Sequence, residues 1–111
     1  MSADGHWLAV GASREQSSGQ GLAADPSDNS ITTGAGAAYI YTRALGVWRH
    51  HAYLKSPNLD AEDQFARNVV ISLEGSVFAA TAPEEDSAAT GINGTQADNS
   101  FFGAGAAYVF E

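Results

Sequence analysis

The chain has 111 residues, enough for one domain with a modest core and too few for two independent ones. Thirteen acidic residues against five basic ones give a formal charge of −8, which argues against a nucleic-acid partner, because backbone phosphates are bound by Lys and Arg. Cysteine is absent, so disulfides are excluded, and no apolar run approaches the roughly 20 residues that span a bilayer, so no membrane insertion is expected.

In chain order, Met1–His6 carries neither the basic nor the apolar stretch of a signal peptide, and this leaves the localisation open. Asp4-Gly5 reads as a tight turn leading into a strand through Leu8–Ala12. A long polar loop, 13–33, follows. Residues 37–42 read as a strand of small residues ending in aromatics, and Ala44-Leu45-Gly46 turns it back into 47–55. That segment alternates, with Trp48, His50, Ala52 and Leu54 on one face and Arg49, His51, Tyr53 and Lys55 on the other. Two β-rich arms, 68–73 and 76–82, flank Glu74-Gly75 at hairpin spacing. A second long loop, 83–102, leads to a last strand over 104–110. Tyr39, Tyr41, Tyr108 and Phe110 are expected in the core at period two, His50 is expected beside Trp48, and no stretch reads as a helix.

The chain repeats itself. Gly34-Ala-Gly-Ala-Ala-Tyr-Ile-Tyr41 returns as Gly103-Ala-Gly-Ala-Ala-Tyr-Val-Phe110, and Asp28-Asn29-Ser30 returns as Asp98-Asn99-Ser100. Leu8–Ala12 aligns with Phe78–Ala82, and Asp4-Gly5 with Glu74-Gly75, at the same offset of 70. The offset falls to 69 at the tyrosines, so one residue is lost before the glycine-rich block. With the strands of one repeat lettered A (66–73), B (76–82), C (104–110) and D (47–55), the whole chain reads B-C-D-A-B-C. It forms a single all-β domain of two partial repeats, B-C-D over 4–55 and A-B-C over 63–111. The cycle A, short turn, B, long loop, C, short turn, D is the antiparallel meander of a propeller blade.

Phe65-Ala66, followed after a strand by Ala80-Thr-Ala-Pro83, resembles the FG…GAP signature of the integrin-α-like β-propeller repeat, in its bacterial branch. Val10-Gly-Ala-Ser13 is the corresponding piece of the first copy, and the resemblance covers nearly the whole chain. It departs from the pattern at Ala66 and Thr81, where the signature has glycine, and at Ser13, where it has proline. The resemblance implies blade-like antiparallel sheets and a family often found outside the cell or at its envelope. The family's calcium loop, of the Asp-x-Asp-x-Asp-Gly kind, is not present, so its ligands are not carried over. One A and one D strand cannot complete two four-stranded blades, so an incomplete propeller stabilised by a homo-oligomer is expected.

Candidate sites lie in the two long loops. Phe101 and Phe102 are adjacent at a loop end and cannot both face one side of a strand, which suits contact with another chain. Asp28, Asn29, Asp98 and Asn99 recur at equivalent points, which fits a shared turn and makes them loop-binding candidates. Glu84, Glu85, Asp86 and Asp98 form an acidic stretch that can offer oxygen ligands to calcium, although no cofactor is required. No nucleophile elbow or ordered Ser/His/Asp set is present, so the chain is not expected to be an enzyme. The expected function is a binding or assembly module working through loops 13–33 and 83–102 on a protein or carbohydrate partner. The alternative is a calcium-dependent adhesion or lectin-like module using the same loops.

Overall fold

A computed structural model of the chain describes residues 1–19 and 33–111. Its strands are β1 (Trp7–Ala12), β2 (Ala37–Ala44), β3 (Val47–Leu54), β4 (Val69–Ile71), β5 (Phe78–Ala82) and β6 (Ala106–Phe110). They form two antiparallel three-stranded sheets, ordered β1-β2-β3 and β4-β5-β6. The all-β expectation and its six strands hold. Strand A is shorter than the sequence suggests, because only Val69–Ile71 pairs fully with β5.

The turns follow from residue chemistry. Leu45 and Gly46 both take positive φ, 50° and 79°, the pairing that a two-residue hairpin needs to match strand twist. Asp4-Gly5 and Glu74-Gly75 sit in twin loops. Ser2 N–H donates to the Trp7 carbonyl and Ser72 N–H to that of Val77, both at 2.9 Å. The serine hydroxyls then accept the Trp7 and Val77 amides at 3.0 Å. The sequence repeat is therefore a repeat of hydrogen bonding as well.

The core lies between the sheets. One face of the first sheet (Trp7, Ala9, Ala38, Ile40, Ala52 and Leu54) packs on the face of the second that carries Val69, Phe78, Ala80, Tyr108 and Phe110. Phe65, wholly buried, lies between them, with its ring edge-on to Tyr108 and Phe110 at 5.6 and 6.2 Å. Removing such a side chain costs about 3–5 kcal/mol.

Two expectations about faces require correction. Tyr39 and Tyr41 are half-buried and lie on the outer face of the first sheet, whereas their repeat mates Tyr108 and Phe110 belong to the core. Packing on only one side of each sheet separates the pairs. His50 lies against Tyr39 and Tyr41, not Trp48, whose ring instead carries the Arg43 guanidinium at 5.8 Å. Both lie on the outer face because of a bulge opposite Ile40 and Tyr41, where the register steps from Ala52 to His50. The extra residue reverses the alternation, so Trp48 and His50 do not share a face with Ala52 and Leu54.

The sheets are joined by backbone as much as by side chains. Segment 62–66 lies along 33–36, with the amides of Glu62, Gln64 and Phe65 donating to the carbonyls of Thr33, Gly34 and Ala35 at 3.0, 2.8 and 3.0 Å. Glu62, Gln64 and Ala66 take left-handed φ of 69°, 54° and 62°, which turns these amides to one side. A Cβ on Gly36, itself at φ 86°, would stand 2.2 Å from the Phe65 carbonyl oxygen. By contrast, Gly46, at φ 79°, has open space around it. Gly36→Ala is therefore expected to cost 3 kcal/mol or more and Gly46→Ala only about 1 kcal/mol, as read from urea denaturation midpoints. Equal losses would show that the close approach at Gly36 is not what joins the sheets.

Candidate functional site

At the head of each long loop a glutamate turns back on a serine two residues later. The Glu15 carboxylate accepts the Ser17 amide and hydroxyl, and the Glu85 carboxylate accepts the Ser87 amide and hydroxyl, all within 3.1 Å. Backbone bonds complete each clamp. Glu15 N–H donates to Ala12 and its carbonyl accepts Gly36 N–H, while Glu85 N–H donates to Ala82 and its carbonyl accepts Gly105 N–H. The loops thus leave one strand and rejoin the next through the same fixture.

The two clamps differ in what reaches them. From the end of β3, Lys55 Nζ comes within 2.8 Å of Glu15 Oε2, although the lysine is wholly buried. Tyr53, also from β3, sets its hydroxyl 2.6 Å from Ser17 Oγ. Burial pushes Glu15 up, but Lys55, Tyr53 and the Ser17 amide and hydroxyl outweigh it and hold the carboxyl below its ordinary range. The Tyr53 hydroxyl is raised, chiefly by burial.

No Lys or Arg among the described residues reaches Glu85, which is 1% exposed. Asn58 takes that place, donating to Glu85 at 2.9 Å while its own oxygen accepts the Tyr108 hydroxyl at 2.6 Å. Burial, with the nearby charge of Glu85, pushes Tyr108 up to about 12. Close by is the buried Asp63, whose carboxylate accepts Asp60 N–H at 3.1 Å. Burial pushes Asp63 up to about 6, and the charges of Asp60, Glu85 and Asp86 add to it against the one amide bond.

Beside this cluster runs an open groove of about 760 Å³, formed by residues 105–110 of and before β6 and by residues of the 87–96 stretch, Ser87, Ile92 and Gln96 among them. Ile92 is 94% exposed at its rim.

The structure distributes the expected site residues. Phe101 and Phe102 are exposed, 65% and 88%, as an apolar contact requires. Asp98 accepts Ser100 N–H, a turn role, and Asn99 donates to Asp60 at 3.0 Å. Asp28 and Asn29 lie outside the described residues. Glu84 is exposed, Glu85 is committed to its clamp, and Asp86 accepts Gly103 N–H at 2.7 Å. Among the described residues no three His, Cys, Asp or Glu side chains are grouped to hold a metal ion, so Glu84, Glu85, Asp86 and Asp98 do not converge. No helix there is long and apolar enough to cross a membrane. The clamps themselves were legible as Glu15-x-Ser17 and Glu85-x-Ser87 at the repeat offset. Lys55 was not, because a lysine on an alternating strand reads as solvated.

Two outcomes are expected. Lys55→Met strands a buried carboxylate and should cost about 3–5 kcal/mol by chemical denaturation, whereas a loss under 1 kcal/mol would remove the pair from the stabilising set. For Asp63 the folded value lies above the unfolded one near 3.8, so the folded state binds more protons between these values. Stability falls as pH rises through that window, and the deficit, roughly 2–3 kcal/mol at most, is fully present at neutral pH. Asp63→Asn should raise stability at pH 7.5 and flatten its change between pH 4 and 6.5. An unchanged slope would place the titration elsewhere. Comparison of the chain with family models, with curated proteins and with solved structures gives no match.

Proposed function

We propose that the chain is a non-catalytic binding and assembly module of propeller-type repeats, whose copies stack sheet on sheet as its own two sheets do. One observation carries the reading. Repeat-equivalent faces are covered in one copy and open in the other. Phe78, Ala80, Tyr108 and Phe110 pack in the core, while their mates Leu8, Val10, Tyr39 and Tyr41 lie on the outer face of the first sheet, where Val10 is 41% exposed. Conversely, Ala38 and Ile40 are buried, and their mates Ala107 and Val109 are exposed.

Each copy therefore carries one half of the internal interface at either end, which is a heterologous, head-to-tail arrangement. Phe102 stands where Thr33 stands in the first copy. There the Thr33 carbonyl and hydroxyl meet Glu62 of the segment that leads into the second sheet, which gives Phe102 a place in the contact. The resemblance to the FG-GAP repeat supports the same reading at Ala66, since the left-handed φ of 62° at that position is one that glycine adopts freely.

Light scattering during size exclusion tests this. The wild type should elute as a defined oligomer, more so in 0.5 M salt because like charge opposes contact. Val10→Glu and Val109→Glu each block a different end and should each give monomers. Mixed, they should form a dimer through the two intact faces. A monomeric wild type, or variants that keep the wild-type mass, would overturn the proposal.

A further inference from the structure

Four asparagines lie among the described residues, and three of them are tied down. Asn58 is bonded at both ends, its side-chain nitrogen donating to Glu85 and its oxygen accepting the Tyr108 hydroxyl. Asn68 donates to Thr81 Oγ1, and the residue that follows it, Val69, opens β4. Asn99 donates to Asp60, and the next amide, Ser100 N–H, is held by the Asp98 carboxylate. Asn93 differs from all three. It is exposed in the turn at 92–93 and takes a left-handed φ of 58°. Among the described residues neither its side chain nor the Gly94 amide makes a hydrogen bond. Asp4-Gly5, the one Asp-Gly step, is closed by contrast. Asp4 accepts the Ser2 hydroxyl and the His6 amide, and Gly5 N–H donates to the Ser2 carbonyl.

The setting of Asn93 is the one in which a backbone amide can attack a neighbouring side chain. Glycine has no Cβ to shield its nitrogen, and an unbonded carboxamide leaves its carbonyl carbon open. The Gly94 nitrogen gives up its proton to water or hydroxide and forms a bond to Cγ of Asn93. The bond from Cγ to the side-chain nitrogen breaks, and that nitrogen takes up a proton and leaves as ammonia. A five-membered imide remains in the main chain. Water then opens it at either carbonyl carbon, giving an aspartate or its β-linked isomer. Water is the one co-reactant, so the chain and its solvent suffice.

We infer that Asn93 is a self-modification site, at which the folded chain exchanges a side-chain amide for a carboxylate. Asn93 lines the groove of about 760 Å³ together with Ser87, Gln96 and Val109, and none of the described residues lining it is Asp, Glu, Lys, Arg or His. Conversion therefore gives the groove its first ionised side chain. The β-linked product also adds an atom to the main chain of a tight turn, where a Cβ on Gly94 would stand 2.7 Å from that of Ala89. The groove is thus neutral in a new chain, and anionic and reshaped in an old one. The inference is independent of stacking, since it needs only an exposed turn and water.

The test is to age the full chain in buffer beside a synthetic peptide of residues 90–97, Thr-Gly-Ile-Asn-Gly-Thr-Gln-Ala, which sets the rate without a fold. Anion-exchange chromatography should resolve a new species carrying one more negative charge. Peptide mapping by mass spectrometry should place the replacement of NH2 by OH at Asn93, with the aspartate and its β-linked isomer as two separable products. The rate should match that of the peptide and rise with pH, because attack needs the amide to lose its proton. In Asn93→Gln, whose longer side chain cannot close the five-membered ring, the species should be absent while circular dichroism stays as in the wild type. A chain still intact at Asn93 after the peptide has converted would overturn the inference. So would conversion of Asn58, Asn68 or Asn99 as fast as Asn93, or an Asn93→Gln chain that gains charge at the wild-type rate.

Discussion

Gly36 touches the backbone of Phe65 with no room for a single carbon atom, and the rest of the molecule is arranged around that approach. Three amides of segment 62–66 pair with three carbonyls of 33–35, an arrangement that requires left-handed φ at Glu62, Gln64 and Ala66. Once this backbone is seated, Phe65 falls between the sheets and the faces of Ile40 and Phe78 close on it. Gly11 repeats the device nearby, since a Cβ there would meet the Ala66 carbonyl oxygen at 2.0 Å. The small residues of the Gly-Ala-Gly-Ala-Ala block thus serve close contact, and a core with few large side chains compensates by bringing main chains together.

Among the described residues, the same block in the second copy, 103–107, has no segment of the other sheet seated on it. Ala35 and Ala38 are fully buried and Ala104 and Ala107 are exposed, although the sequences are identical. The clamps show the same asymmetry, with Glu15 paired to a buried lysine and Glu85 to an asparagine. Sequence identity with unequal burial locates the surfaces at which we propose association. The stacking faces are such surfaces, apolar and broad.

Electrostatics sets a second constraint. Asp63 is buried beside Glu85, and among the described residues one amide compensates it, so the cluster is least comfortable at neutral pH. Glu15, similarly placed, is held ionised by Lys55 and by Ser17. One fixture is therefore satisfied and the other is short of positive charge.

By itself the sequence determined the class, the strand order, a turn within Ala44-Leu45-Gly46 and the repeat, because these rest on local φ preference, period-two patterning and self-similarity. Phe101 and Phe102, singled out as an apolar contact because neighbours on a strand face opposite ways, lie instead in a bend and turn before β6, where both are exposed. Only the tertiary structure decided which face of each sheet is inside. Tyr39 and Tyr108 have the same local sequence, and their burial differs because a second sheet covers one and not the other. A single bulged residue at His51 likewise reversed the faces of β3, a step that alternation cannot register. Lys55 was beyond local reading for the same reason, since its burial depends on a carboxylate 40 residues away.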